Sequence, residues 1–391
     1  MRGIALLAGL LLASLATRLA AADLTVGYLA LEDDDRYLES RLEARYRGQP
    51  TGRPLDGAKV ALREAKFVGK AIGIEFGLHD VEVETPGELL TALEAMVADG
   101  IHFVLLDLPA DQVAELAAAT SGMPVLLFNV TSHADRLRNA DCQAHLLHPL
   151  PSHAMRMDAL AQYLVARKWR EILLLEGPTA GDRELADAFR RSVKRYGLEL
   201  VDTRPFLLSN DPRERERGNV KLLTARGDYD LVFVADSEGE FARGVPFQMS
   251  QPRPVIGSEG LVPGAWHWGW ERHGAPQLNS RFRKHAKRDM TATDWAAWVA
   301  VKSVVEAAVR TESSDFATVA AYLRGETIVI DGFKGNPLSY RPWNGQLRQP
   351  ILLGTHNWIA ARAPIEGFLH PTHKLDTLGF DARESRCEAG Y

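Results

Sequence analysis

One short stretch holds four residues that could bind a metal: Cys142, His145, His148 and His153. Cys142-x-x-His145 has the spacing of half a zinc site. A closed site needs a second pair at similar spacing, and Pro149 and Pro151 interrupt this stretch, so the imidazoles need not converge. A crossover or surface segment is the competing reading, and no metal is assigned. Glu32-Asp33-Asp34-Asp35 offers carboxylate oxygens of the kind calcium takes. It lacks the spacing of a helix-loop-helix calcium loop, and a solvated loop is the simpler reading. Trp295 and Trp298 stand three apart on a predicted helix and share a face. They read either as core or as a flat wall against which a planar ligand stacks. Trp266 and Trp268 are weaker candidates for the same role. The motifs of phosphate and acyl chemistry are absent: Gly27-Tyr28-Leu29 stands where a dinucleotide-binding glycine loop would be. The sequence contains neither a Gly-Lys-Ser/Thr loop nor a Gly-x-Ser-x-Gly elbow. No nucleophile sits beside a recognisable base, so no catalytic residue is assigned and binding is expected rather than turnover.

The elements that must position any site alternate regularly. Leu24–Leu29 reads as a strand and the run from Leu55 as a helix, with Ala58, Ala61, Leu62, Ala65 and Val68 at helical spacing. Strands follow at 72–76, 102–106 and 125–128. Helices starting at Pro86 and at Ala110 lie between them. The pattern then restarts: helices at 151–167, 183–196 and 212–225 alternate with strands at 171–175, 198–206, 230–234 and 254–257. Continuous apolar strands are hidden on both faces, as parallel strands under crossover helices are. Beyond Gly257 the rhythm changes to helices at 276–287, 293–310 and 316–323 and to strand-like runs at 351–353 and 357–359. The fold class expected is α/β, two doubly wound parallel-sheet lobes joined by a hinge. Lobe one is placed at 23–148 plus about 265–330, and lobe two at 149–264 plus about 331–391. Ligands of open parallel sheets bind beyond the carboxyl ends of the strands, so two such edges form a crevice that can close.

The N-terminus reads as a signal peptide over residues 1–22: Arg2, an apolar run Ile4–Ala16, and small residues Ala20–Ala22 before Asp23. Its removal leaves 369 of 391 residues and takes the formal net charge from −5 to −7. A mildly acidic chain has no electrostatic footprint for nucleic acid. In the oxidising compartment that a signal peptide implies, Cys142 and Cys387 suggest one disulfide, with two free buried thiols as the alternative.

The order of elements resembles the type I periplasmic binding proteins, the branched-chain amino acid receptor group. Pro54-Leu55-Asp56-Gly57-Ala58 is similar to that group's first-helix entry, and Asp141-Cys142 with Pro149-Leu150-Pro151-Ser152 resembles its crossover into the second lobe. A narrower resemblance rests on Trp266-His267-Trp268, Gly274–Leu278, Arg281-Phe282-Arg283, Asp294–Trp298, Trp343–Pro350 and Glu366–His370. These runs are similar to ABC-transporter binding proteins associated with pyrroloquinoline quinone (PQQ) alcohol dehydrogenase systems. The resemblance implies a monomeric periplasmic protein that hands a small molecule to an inner-membrane ABC permease. PQQ or a related compound is the leading ligand, and no cofactor is required. It places ligand contacts in the strand-end loops: Arg36, Tyr37, Pro109, Ala110, Asn129, Thr131 and Ser132 in lobe one, and Asp182, Arg183, Asp236, Ser258 and Glu259 in lobe two, with Trp295 and Trp298 as the aromatic face. The amino acid receptors have a hydroxyl residue where this chain has Pro109-Ala110, and an aromatic where it has Ala180. Both departures weaken an amino acid ligand, while Glu259 matches the acid that receives an ammonium group. A ligand sensor for a membrane receptor and a secreted enzyme are the alternative roles.

Overall fold

A computed structural model describes residues 22–38 and 50–387; the expected signal peptide lies outside the described residues. The first half is β1 (Ala22–Leu31), α1 (Leu55–Ile72), β2 (Ile74–Val83), α2 (Leu89–Ala98), β3 (Phe103–Asp107), α3 (Ala110–Ala119), β4 (Leu126–Asn129) and β5 (Leu146–Leu147). Its five strands form one parallel sheet in the order β2-β1-β3-β4-β5. Residues Phe103–Asp107 and Leu126–Asn129 are buried without interruption, as expected for strands covered on both faces.

The second half repeats the plan with α4 (His153–Arg167), β6 (Glu171–Glu176), α5 (Ala180–Tyr196), β7 (Glu199–Pro205), α6 (Val220–Leu223), β8 (Leu231–Ala235), α7 (Val245–Gln248) and β9 (Val255–Gly257). Its parallel sheet runs β7-β6-β8-β9. The expected helix at 212–225 is instead a 3-10 segment, Pro212–Gly218, followed by the single turn α6. The run Arg213-Glu214-Arg215-Glu216-Arg217 has no apolar stripe to bury, and the Asn219 side chain caps a new start by accepting from the Leu222 N–H.

The remainder comprises β10 (Val262–Gly264), α8 (Ala275–Ala286), α9 (Ala292–Thr311), α10 (Phe316–Arg324), β11 (Ile330–Asp331), β12 (Pro337–Tyr340), β13 (Leu347–Arg348), β14 (Ile351–Gly354) and β15 (Ile359–Ala363). Helix α9 lies on α1 at very close range: a Cβ added at Gly57 would sit 2.0 Å from the Asp294 carbonyl oxygen. Only glycine at position 57 allows the backbones to approach this far.

The expected lobe boundary needs correction. Ile330, Leu338, Tyr340 and Leu347 pack in the core of lobe one, so β11–β13 belong there and not to lobe two. Strand β14 straddles the boundary. Its side chains alternate in direction, which sends Leu352 into the lobe-one core and Ile351 and Leu353 into the lobe-two core. The chain crosses between lobes at 148–152, 262–265 and 346–351. These crossings are bonded together: Gln346 Nε2 donates to the carbonyls of His148 (2.8 Å) and Leu150 (3.1 Å), and Gln349 Nε2 donates to Pro149 O (2.6 Å). The C-terminal segment ties back to both lobes. Buried Asp158 of α4 accepts from the Gly379 N–H, and Cys142 and Cys387 form a disulfide.

Candidate functional site

The carboxyl end of β9 and the loop that follows it border a crevice between the lobes. Pro50 and Met290–Ala292 of lobe one face Ser258–Gly260 of lobe two across a cavity of about 300 Å3. On the opposite flank, Ala134–Arg136 of lobe one face Glu184, Asp187 and Arg191 of α5.

In lobe one, the loop after β1 is organised by Asp107, which is fully buried at the end of β3. Its carboxylate accepts from Tyr28 Oη at 2.6 Å, Tyr37 Oη at 2.7 Å and Arg36 Nη2 at 3.0 Å, with Arg53 Nη1 at 3.5 Å. Burial and the Asp107 charge raise the phenols of Tyr28 and Tyr37 well above the usual range, so both stay protonated donors. Burial alone would raise Asp34, but hydrogen bonds and charge from Arg36 outweigh it and hold that carboxyl below its usual value. Arg36 and Tyr37 were expected to touch ligand. Tyr37 Oη bonds Asp107, and Arg36 Nε and Nη2 bond Asp34 and Asp107, which orders the loop.

The other lobe-one candidates divide. Pro109 and Ala110 open α3 half-buried at the crevice edge, without a side-chain cap. Thr131 is half-buried and its hydroxyl donates to Leu108 O at 3.2 Å, tying two edge loops together. Asn129 is a correction. It is fully buried, its amide closes a turn on the N–H and carbonyl of Ser132 (both 2.9 Å), and it touches His148 Nδ1, which leaves nothing to offer a ligand. Ser132 is also buried, and its hydroxyl accepts from the Ala134 N–H.

Lobe two is similar. The sequence Thr179-Ala180-Gly181-Asp182 forms a capping box at the start of α5. Asp182 Oδ2 accepts from the Thr179 N–H (2.9 Å), and Oδ1 accepts from the N–H (2.6 Å) and hydroxyl (2.7 Å) of Ser237. Burial opposes ionisation here, but these donors prevail and lower the Asp182 pKa. Asp182 is therefore a brace joining two edge loops. Asp236 plays the same part, accepting from the N–H groups of Glu238, Gly239 and Ala242, while its own N–H bonds Ser258 Oγ. Arg183 is exposed and caps the Pro178 carbonyl. Glu259 lines the cavity half-buried, with one carboxylate oxygen on the Gly260 N–H.

Trp295 and Trp298 are corrections as well. Both are fully buried in the lobe-one core. Trp295 Nε1 donates to Gly332 O (3.1 Å), its ring stacks on Trp266 and lies under Lys334 Nζ at 3.6 Å, and Trp298 Nε1 donates to Glu64 Oε2 (3.1 Å). Spacing gave them a common face, but that face turns inward. The aromatic surface of the cavity comes from Trp266, His267 and Trp268, the last two with rings stacked 5.5 Å apart, and His356 also lines it. Trp266 and Trp268 are the weaker aromatic candidates of the sequence, and no spacing signal marks the two histidines.

The metal-like cluster disperses. Cys142 is in the disulfide, His145 Nε2 bonds the Thr120 hydroxyl at 3.1 Å, and His148 lies against Asn129. Among the described residues no group of three or more His, Cys, Asp or Glu side chains could hold a metal. His153 instead joins His133, their ring centroids 5.4 Å apart, with Arg156 one turn further along α4. No sequence signal marks this trio, because His133 and His153 approach only when the first crossing folds back on itself.

No protein-family model matches the sequence, and no curated protein matches it. Solved structures do match. A branched-chain amino acid ABC transporter periplasmic ligand-binding protein of Burkholderia xenovorans LB400 is 16% identical, over 93% of this chain and 99% of that one, with a TM-score of 0.70. An ABC transporter substrate-binding protein of Sphaerobacter thermophilus is 15% identical, over 92% and 100%, with a TM-score of 0.71. A solute-binding protein of an ABC transporter of Rhodopseudomonas palustris BisB5, in complex with 3,4-dihydroxybenzoic acid, is 13% identical, over 85% and 93%, with a TM-score of 0.62. At these identities the likeness shows the fold alone: two wound α/β lobes, as in those binding proteins.

Proposed function

We propose that this chain is a periplasmic solute-binding protein that captures a small ligand between its lobes and presents it to an inner-membrane ABC permease. The observation that carries this reading is a cavity lined from both of two parallel-sheet lobes. The strand-end loops of both lobes are held by carboxylates of their own, Asp107, Asp182 and Asp236, and are preorganised. Closure requires only that the ligand bind the closed arrangement better than the open one. Affinity in the micromolar range or tighter corresponds to about −8 kcal/mol or better.

PQQ or a related compound of periplasmic alcohol oxidation is the ligand this reading favours. Its support is the narrower sequence resemblance together with the His267–Trp268 face, which suits a flat molecule. Glu259 at the cavity favours a second reading, an amino acid whose ammonium group meets that carboxylate. Native mass spectrometry of protein purified from its own periplasm separates them: a co-purified mass of PQQ supports the first and a branched-chain amino acid the second. Saturable binding without turnover supports the carrier role, whereas turnover lost on mutation of the crevice overturns it.

A further inference from the structure

Helix α1 divides its charges between two faces. Gly57, Ala58, Ala61, Leu62, Ala65 and Gly69 are buried and set its inward face. Lys59, Arg63, Lys66 and Lys70 stand at i, i+4, i+7 and i+11 and fall in one outward stripe. Arg63, Lys66 and Lys70 are exposed, and Lys59 is half-buried. Phe67 stands beside the stripe with 86% of its surface exposed.

Among the described residues none of the four cations forms an ion pair, and the packing gives the reason. The two acids of α1 are drawn to the sides of the helix that meet its neighbours. Asp56 accepts from Arg288 at 3.3 Å, and Glu64 pairs with Arg281 of α8 at 2.5 Å and accepts from Trp298 Nε1 of α9 at 3.1 Å. Helix α8 adds Arg281, Arg283 and Lys284 and no carboxylate. Over the two helices seven Lys and Arg (four and three) stand against two acids (two and none), although the whole chain has 46 basic and 51 acidic residues. Glu75 lines a groove of about 330 Å3 with Lys66 and Lys70 but pairs with neither. Like charges four apart, Lys59 with Arg63 and Lys66 with Lys70, repel each other, so the stripe is kept at a cost to α1 itself.

A row of unpaired cations attracts an array of anions, and its geometry selects the kind. The stripe runs about 16 Å along the helix instead of converging on a point, so it suits an extended surface and not one small anion. Three of the four cations are lysines, flexible point charges that demand no particular acceptor geometry. Phe67 is left uncovered beside them. A protein surface would need a matching hole for that ring, whereas a bilayer admits it anywhere below the phosphates. Basic residues with an aromatic on a surface helix are the composition of segments that lie at a membrane interface. Salt confines each charge to a neighbourhood of about 8 Å, so the local excess governs contact despite the net negative charge of the chain.

We infer that the outward face of α1 is a docking surface for an anionic phospholipid membrane, with Lys59, Arg63, Lys66 and Lys70 at the phosphates and Phe67 inserted between headgroups. The inference goes beyond the carrier reading and does not depend on it. For a carrier, adsorption would confine the search for its permease to the surface that holds it.

Co-sedimentation of the whole mature protein with vesicles tests this, using phosphatidylcholine alone and phosphatidylcholine with about one-third phosphatidylglycerol. The wild type should partition onto the anionic vesicles and not the neutral ones, more weakly as salt rises to about 0.15 M. Each cation near such a surface strengthens partitioning about fivefold, so Arg63→Gln with Lys70→Gln should bind about 25-fold more weakly. Phe67→Ser should weaken binding about 10-fold. Circular dichroism verifies that the variants are folded; if the double variant is not, the salt dependence and Phe67→Ser decide. Equal partitioning onto the two vesicle types, or partitioning unchanged in either folded variant, overturns the inference. No binding to anionic vesicles also overturns it, and salt-sensitive binding to polyglutamate in that case assigns the stripe to an acidic protein segment. None of these outcomes touches the carrier reading, which ligand titration tests separately.

Discussion

Replacing Asp182 by alanine removes three hydrogen bonds at once. The side chain is only 2% exposed and accepts from two backbone N–H groups and one hydroxyl. The Ser237 hydroxyl keeps Thr179 Oγ1 as a partner, so the two N–H bonds at about 1.5 kcal/mol each, the low end for such contacts, give about 3 kcal/mol. For a unit the size of lobe two this lowers the thermal midpoint by roughly 6–12 °C. Asparagine keeps one acceptor oxygen and should cost about half as much. The acid dependence follows from the depressed folded pKa of Asp182. Its contribution is complete above the unfolded carboxylate value near 3.8 and disappears as pH falls through the lower folded value. The gap between wild type and Asp182→Asn should therefore be full at pH 7 and narrow below about pH 4. Thermal unfolding followed by circular dichroism across this range measures both quantities. An alanine variant within about 0.5 kcal/mol of wild type at pH 7, or a gap that stays constant into acid, refutes the assignment of Asp182 as the brace between the edge loops.

Other substitutions test the packing. Gly57→Ala places a methyl 2.0 Å from the Asp294 carbonyl and must push α1 off α9, so urea denaturation should show a loss of about 1–3 kcal/mol or more. Trp295→Ala empties a fully buried site in lobe one and should cost about 3–5 kcal/mol, whereas Trp295→Phe loses mainly the bond to Gly332 O, about 1 kcal/mol. If Trp295 lined the binding surface, the phenylalanine variant would instead lose ligand affinity with stability unchanged. Alkylation without reductant should label neither Cys142 nor Cys387, and the double serine variant should lose about 2–5 kcal/mol of stability. Rapid labelling of both thiols would show that the bridge does not form.

Much of the fold can be read along the chain. The strands at 103–107, 126–129 and 231–235 are continuous apolar runs, and the helices at 55–72, 153–167, 275–286 and 292–311 carry clear periodicity or caps, so local signals and final elements agree within a few residues. The α/β class and the two-lobe plan follow from that alternation. With only two cysteines in the chain, one intramolecular pairing is possible, and the fold brings Cys142 and Cys387 together to make it. The sequence also shows which loops end the strands, and therefore where a crevice should lie.

Side-chain roles at that crevice were decided by tertiary structure. Asn129, Asp182 and Asp236 have the residue types of ligand contacts, yet each is consumed by backbone N–H groups that only the folded loops bring within reach. Trp295 and Trp298 share a helix face by spacing alone, but which way that face points depends on how close α9 comes to α1, and that is set by Gly57 far away in sequence. The lobe boundary runs through β14 because consecutive side chains of one strand enter different cores. Arg156 reaches Pro263 from 107 residues away in the chain. Periodicity and caps are local, and one chain reports them directly. Which groups find partners, and which charge is left without one, depends on segments that meet only when the lobes are assembled.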